Sequence, residues 1–463
     1  MLRLLEQQEQ LTANQWKIIF AAILGDLLDF FDFFLIGFVL AFIVGPWHLT
    51  HGQSATILLA AGIGAVPGAF FWGWMADKIG RRTVFIATAL NFSVATGIMA
   101  LTPDQGGWIF LAVCRFFVGA GAAGLVVVDL PLVQEFVPSS KRGWIGGLVT
   151  STVSVGGLLG AASGAFLEPL IGRRGLFVVG LLPALLTLLI RAWVPESPRW
   201  LIRKGRREEA RGSIAWALQI NPNEIELPAT LPEVQHTPWR ELFNYPRSVV
   251  LTALTSLMQT SGVGLALWAT TLLVVIIKIK PNEASYLMIW VSLTAFVGRL
   301  FCSYLSDAIG RRWSGILACT AAAATLVLAG YWANLFIGAV SVFWLMLMVH
   351  SFFGGGSYAI IAPYLAEVWP GGLRASGMGL GYGIGNLGKI ISPLGLALII
   401  GSSNFVKPEA TLEGIIPAMI FLAFWAVLSA LAFLFIGIET KGRSIEEIDA
   451  ALTKPVLVKA LAE

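Results

Sequence analysis

Three aspartates interrupt an apolar and aromatic stretch near the beginning of the chain. Asp26, Asp29 and Asp32 recur every third residue within GDLLDFFDFFLIGF, residues 25–38. An aspartate at the centre of a membrane-spanning helix costs roughly 2.5–3.5 kcal/mol on insertion scales, so three of them need compensation. Burial and crowding both favour the protonated form of a carboxyl group. The spacing therefore predicts carboxyl groups that load and release protons. The alternative is structural: they pair with basic residues or cap a broken helix.

Basic and amide side chains inside other apolar stretches are candidates for binding a substrate. Lys389 lies in GYGIGNLGKIISPLG, with Asn386 one turn and Tyr382 two turns before it. A lysine in mid-membrane can balance a carboxylate as a point charge, although such a side chain can also reach for lipid headgroups. Gln259, in MQTSGVG, offers an amide. Arg299 stands two turns before SDAIGRR, where we expect a structural role.

The composition indicates a membrane protein. Of the 463 residues, 57% are hydrophobic and 13% are charged, whereas soluble domains carry roughly 25% charged residues. The net charge of +4 does not indicate nucleic-acid binding, because the basic residues lie almost wholly in short loops between apolar runs. No cleavable signal peptide is expected, since the polar start is followed by an apolar run long enough to span. Cys114, Cys302 and Cys319 lie in apolar runs and predict no disulfide framework.

Apolar runs of about 20 residues, the length that crosses the hydrocarbon core, recur along the chain. We predict an all-α integral membrane protein with twelve transmembrane helices. The predicted spans lie near 17–44, 54–76, 83–101, 107–130, 144–167, 175–194, 247–276, 285–305, 314–331, 335–365, 375–401 and 413–437.

The distribution of Lys and Arg predicts the orientation. With the amino terminus inside, the inside segments hold twenty-two basic residues and the outside loops hold five. Because basic residues accumulate in cytoplasmic loops, both termini are predicted to be cytoplasmic, and we expect the inner membrane of a bacterium. We predict an N-terminal six-helix bundle at 1–194 and a cytoplasmic central loop with short helices at 195–246. A C-terminal six-helix bundle at 247–437 and a cytoplasmic tail at 438–463 are predicted to follow.

The two halves of the chain repeat each other. GWMADKIGRR (73–82) follows the second predicted span, and SYLSDAIGRR (303–312) follows the eighth. The ends of the fourth and tenth spans are also alike, since Pro131, Glu135, Pro138 and Arg142 recur as Pro363, Glu367, Pro370 and Arg374. A repeat of one six-helix unit predicts two pseudo-symmetric bundles, and such transporters commonly hold the substrate near the bilayer midplane.

These motifs resemble those of the major facilitator superfamily. GWMADKIGRR fits its G-x-x-x-D-x-x-G-R-R signature, with Ser303 in place of the first glycine in the second copy, and RFFVGAGAAG is similar to its R-x-x-x-G-x-G motif. The resemblance implies alternating access and a conformational latch on the cytoplasmic side; the alternative is a positive-inside anchor with a tight glycine turn. We expect the carboxylate of the motif to accept the N–H groups of the following helix. The predicted latch comprises Gly73, Asp77, Gly80, Arg81, Arg82, Asp307, Gly310, Arg311, Arg312, Glu135, Arg142, Glu367 and Arg374.

The first span carries a second resemblance. DFFDFFLIGF is similar to the D-G-F-D and I-G-F pattern of aromatic acid/proton symporters, with Phe30 in place of the glycine, and to the G-N-x-x-E-W-F-D-F pattern of metabolite/proton symporters. Both families move small organic anions with protons. Arg115 and Asp129 lie roughly 21 Å apart along one helix, too far to pair with each other. Because the first and fourth helices adjoin in this superfamily, Arg115 is expected to meet a first-span aspartate.

The function predicted is proton-coupled symport of a small organic anion, with the proton gradient as energy source and no cofactor or metal. The alternatives are a sugar or polyol porter, since PESPRWLI and IETKGRSIEEID resemble closing segments of sugar porters, and a proton-driven exporter. An enzyme is not indicated, because no metal cluster, phosphate loop or nucleophile constellation is present. The expected partners are the substrate, protons and lipids, around a monomer. The predicted proton-coupling residues are Asp26, Asp29, Asp32, Arg115 and Asp129, and the predicted substrate residues are Lys389, Asn386, Tyr382 and Gln259.

Overall fold

A computed structural model describes residues 8, 10–225, 227, 239–370 and 373–441 of the chain. The described residues are almost wholly helical, as predicted, because a helix satisfies every backbone polar group within its own segment in lipid. The helices of the first half are α1 (Ala13–Ile43), α2 (His51–Ile79), α3 (Arg81–Met99), α4 (Gly107–Phe136), α5 (Ser139–Ala162), α6 (Glu168–Val179), α7 (Leu182–Trp193), α8 (Pro198–Arg203) and α9 (Arg207–Leu218).

The second half repeats the pattern of long apolar helices. A short hairpin of two strands, which the sequence did not predict, precedes its fourth long span. Its elements are α10 (Pro246–Ser256), α11 (Met258–Ile277), α12 (Pro281–Ile309), α13 (Arg311–Tyr331), β1 (Phe336–Ile337), β2 (Val340–Ser341), α14 (Val342–Glu367), α15 (Arg374–Ile400) and α16 (Pro408–Leu431).

The long helices have breaks and irregular turns at definite positions. A π-helical turn, Ser163–Leu167, follows α5, and another, Ala432–Ile436, follows α16. Gly172 has a φ of 67°, so α6 is kinked there. Two 3₁₀ turns, Pro222–Glu224 and Trp239–Asn244, lie between α9 and α10. The kink at Gly172 thus falls between the predicted fifth and sixth spans.

Ten helices in the described part of the chain are long and apolar enough to cross a membrane by length and composition. The predicted first span corresponds to α1, which has 31 residues but carries the three aspartates. The predicted sixth span is divided between the end of α6 and α7, which has 12 residues. The predicted seventh span consists of α10 and α11, joined at Leu257.

The chain forms two compact units. The first comprises Met1–Phe42 and Thr56–Val234, and the second comprises Ile43–Ala55 and Gln235–Glu463. Within the second unit, the segment 43–55 pairs with residues before α16: the His51 N–H donates to the Asn404 carbonyl at 2.9 Å, and the Val406 N–H donates to the Leu49 carbonyl at 3.0 Å. The predicted domain boundaries stay a prediction.

Glycines bring helices into close contact at repeated positions. In the first unit, a Cβ on Gly68 would lie 2.4 Å from the Ala120 carbonyl oxygen, and one on Gly119 would lie 1.9 Å from that of Ala61. In the second unit, a Cβ on Gly298 would lie 2.0 Å from the Phe352 carbonyl oxygen. Gly68 and Gly298 occupy equivalent places in the two halves, so the repeat extends to packing. Small residues that let helix backbones approach are typical of membrane helix pairs.

We predict that Gly119→Ala lowers the stability of the protein, because the new methyl group meets backbone rather than a flexible side chain. The expected loss is about 1–3 kcal/mol, the usual cost of overpacking. Thermal unfolding in detergent, followed by tryptophan fluorescence, measures it. Gly379→Ala is the control, since nothing lies within 4 Å of its Cβ position. Equal unfolding temperatures for the two variants would contradict the close contact of α2 and α4.

Candidate proton and substrate sites

The three aspartates of α1 lie in the interior of the first unit. Asp26 is 6% exposed, Asp29 5% and Asp32 1%. Helix α5 packs closely against α1 here, because a Cβ on Gly156 would lie 2.7 Å from the Phe31 nitrogen. The carboxyl groups are therefore held within protein, as a proton-loading role requires.

Asp32 lies between a hydroxyl group and a guanidinium. The hydroxyl of Thr96, on α3, donates to Oδ2 of Asp32 at 2.5 Å. The fully buried Arg115, on α4, donates to the main-chain carbonyls of Asp32 and Phe33 at 3.4 Å each. Its guanidinium also lies 5.8 Å from the Phe33 ring centroid, and its charge acts on Asp32 and Asp29. The expected approach of Arg115 to α1 is thus present. No feature of the sequence had indicated Thr96.

Asp26 and Asp129 form a separate contact. Asp129, on α4, is 2% exposed, and its carboxyl group shares a hydrogen bond with that of Asp26. The Asp29 charge also acts on Asp26. The five residues predicted for proton coupling thus lie along α1 and α4, with Arg115 beside Asp32 and Asp129 beside Asp26. Their role in coupling stays a prediction.

The predicted substrate residues lie in the second unit, where α15 packs against α11 through glycines. A Cβ on Gly385 would lie 2.6 Å from Nε2 of Gln259, and one on Gly388 would lie 2.7 Å from the Thr260 nitrogen. Gln259 therefore contacts α15 at Gly385, the residue before Asn386. The residues Tyr382, Asn386 and Lys389 share one face of α15, since they are four and three residues apart.

Arg299 has an aromatic neighbour that the sequence did not indicate. Its guanidinium lies 5.7 Å from the ring centroid of Tyr358, on α14. Oη of Tyr358 is buried without a partner among the described residues, and a Cβ on Gly262 would lie 3.1 Å from it. Gly262 is one turn from Gln259 on α11. The cation of α12 and the phenol of α14 thus lie together in this unit, and the phenol approaches α11 one turn from Gln259.

A carboxylate caps the helix after the first GRR motif. Oε1 of Glu196 accepts from the main-chain N–H groups of Arg81 at 2.9 Å and Arg82 at 3.0 Å. These are the first N–H groups of α3, which have no partner within the helix. The expectation that Asp77 accepts them is wrong, because the longer Glu196 side chain reaches them from the segment after α7. The Arg81 guanidinium pairs with Glu135, which also accepts from the Ser197 hydroxyl.

The second unit contains the equivalent arrangement. The carboxylate of Glu439 accepts from the N–H groups of Arg311 at 2.9 Å and Arg312 at 3.2 Å. The Arg311 guanidinium lies 3.5 Å from Glu367, which accepts from the Thr440 hydroxyl, and it pairs with Asp307 at 2.8 Å.

Two glycines make these caps possible. Gly80 and Gly310 have φ angles of 102° and 98°, and a Cβ on either would lie within 2.3 Å of the capping carboxylate. Gly73 is less constrained, with Val127 at 3.6 Å from its Cβ position. Arg142 and Arg374 lie in α5 and α15, but their side chains are outside the described residues. Each described network lies within one unit, and the latch stays a prediction.

The model of one protein family, described as sugar (and other) transporter, matches residues 17–452. The chain belongs to this family, within the major facilitator superfamily. It is similar to a niacin transporter of Acinetobacter baylyi, with 29% identity over 92% of this chain and 94% of the relative. It is also similar to a cis,cis-muconate transport protein of the same organism, with 25% identity over 89% of this chain and 96% of the relative.

The fold is that of solved members of the superfamily. The inward-open structure of the xylose transporter XylE from E. coli aligns with 94% of this chain and 99% of its own, with a TM-score of 0.73 and 20% identity. The predicted superfamily fold is therefore confirmed, and this transporter-family chain is a multi-pass membrane protein rather than an enzyme. The superfamily motifs carried this inference from sequence.

We predict that Glu196→Ala destabilises the transporter by about 1–2 kcal/mol, the usual cost of losing a helix cap. The N–H groups of Arg81 and Arg82 at the start of α3 lose their acceptor. The unfolding temperature in detergent measures the effect. Glu208→Ala is the control, because that side chain is 82% exposed and pairs only across one helical turn with Arg211. A loss no greater than that of the control would show that the cap contributes nothing.

Proposed function

We propose that this protein is a secondary active transporter that moves a small organic anion together with protons by alternating access. The observation that carries the proposal is the buried contact region of Asp32, Thr96 and Arg115. An acid and a base face each other across α1 and α4 with almost no exposure to solvent. Ionisable residues inside a membrane protein mark proton relays and substrate pathways.

The arrangement supports coupling through charge balance. Oδ1 of Asp32 and Nε of Arg115 are buried without hydrogen-bond partners among the described residues. When Asp32 is ionised, its charge compensates the guanidinium. When Asp32 takes up a proton, Arg115 loses one of the two carboxylates whose charge acts on it, which is costly in a low-dielectric interior. Binding of an anion restores the balance. Proton and anion therefore favour each other's binding, which is the thermodynamic requirement for symport.

The substrate class follows from the cations inside the second unit. Lys389 lies mid-way along α15, and Arg299 lies against the face of Tyr358 on α14. Guanidinium and ammonium groups recognise carboxylates through charge-assisted hydrogen bonds. The named substrates of the two Acinetobacter relatives support this class, since niacin and muconate are both carboxylic acids. We therefore propose a small carboxylate, aromatic or aliphatic, as the cargo.

A sugar porter is the second candidate. The family description includes sugars, and the amides of Gln259 and Asn386 could hydrogen-bond hydroxyl groups. A neutral sugar, however, gives no reason to keep Arg299 and Lys389 within the membrane, where each is costly. Uptake of carboxylates without uptake of matched sugars would distinguish an anion transporter from a sugar porter. The direction of the imposed proton gradient that drives accumulation would distinguish import from export.

We predict that Asp32→Asn abolishes proton-driven accumulation of carboxylates in proteoliposomes but keeps counterflow exchange. The amide cannot carry a proton, yet it fits the same space and can still contact Thr96. Asp104→Asn is the matched control, because its carboxylate side chain is 63% exposed and lies outside this region. Accumulation that responds to the pH gradient as in the wild type would refute the role of Asp32.

We also predict that Lys389→Gln raises the KM for a carboxylate by about tenfold, because one charge-assisted contact is lost. Lys407→Gln, a lysine in the loop before α16, serves as the control. Radiolabelled uptake of a carboxylate and of its neutral amide gives the readout. An equal change in KM for both compounds would show that Lys389 does not recognise the negative charge.

A further inference from the structure

Two buried carboxyl groups share one hydrogen bond across the first unit. Asp26 belongs to α1 and Asp129 to α4, and both are more than nine-tenths buried. An ionised carboxylate only accepts hydrogen bonds, so a bond between two carboxyl groups requires a proton on one of them. A proton retained on one of the two would therefore make a hydrogen bond that two carboxylates cannot make.

The pair lies apart from the contacts of Asp32. Six residues separate Asp26 from Asp32, which is about 9 Å along a helix. Asp32 has a hydroxyl donor and the charge of Arg115 beside it. The pair instead has Asp29 as its charged neighbour on α1. Arg115 acts on Asp32 and Asp29, so the cation of α4 favours ionisation of those two groups rather than of the pair.

Releasing the shared proton would be unfavourable. It would leave two adjacent carboxylates facing each other in the interior, with the carboxyl group of Asp29 nearby. Two like charges at hydrogen-bond distance cannot both ionise readily, and burial adds to the cost. Oδ1 of Asp26 is buried without a partner among the described residues, so no second donor would stabilise the ionised form on that oxygen.

We propose that Asp26 and Asp129 are a positioning pair that keeps one proton throughout the transport cycle and fastens α1 to α4. The exchanged proton belongs to Asp32. This division of roles rests on the proposed proton coupling. The retained proton reduces the repulsion among the carboxyl groups of the α1 region. As a result, α1 remains packed beside Arg115 whether Asp32 is protonated or ionised.

The test compares an amide with a truncation at one position. In Asp26→Asn, the amide N–H replaces the carboxyl O–H as donor to Asp129. We expect proton-driven uptake within about threefold of the wild type. In Asp26→Ala, Asp129 becomes a buried carboxylate without its donor, and uptake should fall by at least about tenfold. If Asp26→Asn instead loses proton-driven accumulation and keeps counterflow, the pair carries the exchanged proton and the inference is overturned, while proton coupling stands.

Infrared absorption spectra of the wild type and of each variant, subtracted from one another, give a second readout that does not require transport by the alanine variant. The carbonyl stretch of a protonated carboxylic acid should be present in the wild type at neutral pH. It should disappear in both Asp26→Asn and Asp129→Asn, and persist in Asp32→Asn. Its absence from the wild type would overturn the inference. If the wild type shows no proton-driven uptake, the proposed function is refuted, and counterflow exchange then tests the role of the pair. Faster exchange in Asp26→Asn than in Asp26→Ala supports the positioning role, and equal rates overturn it.

Discussion

Charge balance around α1 is the constraint on which the first unit depends. Among the described residues, four buried carboxyl groups lie along α1 and α4, and the charge of Arg115 acts on two of them, Asp32 and Asp29, so full ionisation would leave uncompensated negative charges in the interior. A buried charge without compensation is far more costly than the few kcal/mol by which proteins are stable. We therefore expect protonation to remove part of this charge. A helix whose carboxyl groups must hold protons in order to stay buried can also respond when the side of the membrane that supplies those protons changes.

The same physical problem is solved differently at the GRR loops. There the groups that need partners are the N–H groups at the start of α3 and α13. A glutamate from the end of each half accepts hydrogen bonds from them. Each glutamate lies beside a residue with a hydroxyl, Ser197 or Thr440, that donates to the glutamate at the end of α4 or α14. The duplication thus copied a complete hydrogen-bonded network, in which the helix ends and the segment closing each half are linked. Such a network couples the position of that segment to the packing of two helices.

Much of the fold could be predicted from the sequence, because its signals are local. Runs of apolar residues predict spans, and the displaced GRR motifs predict the duplication. The buried acids of α1 could be predicted as a site, because three aspartates in lipid require an explanation whatever they touch. Their partners could not. Thr96 is an ordinary residue of α3, and Tyr358 one of several aromatics in α14, so only the tertiary structure shows that they meet Asp32 and Arg299.

The error over Asp77 shows where sequence reasoning fails. A carboxylate four residues before a helix is a reasonable acceptor for its N–H groups, and local spacing favours Asp77 over any distant residue. Glu196 is 115 residues from Arg81, and PESPRWLI could be recognised only by resemblance. The physical reason is the glycine at position 80, which has a φ of 102° and where a Cβ would lie 2.2 Å from Oε2 of Glu196. Its missing side chain leaves room for a carboxylate from elsewhere. Gly310 and Glu439 repeat this arrangement in the second unit, whereas Gly106, which also has a positive φ, precedes α4 without a side-chain cap.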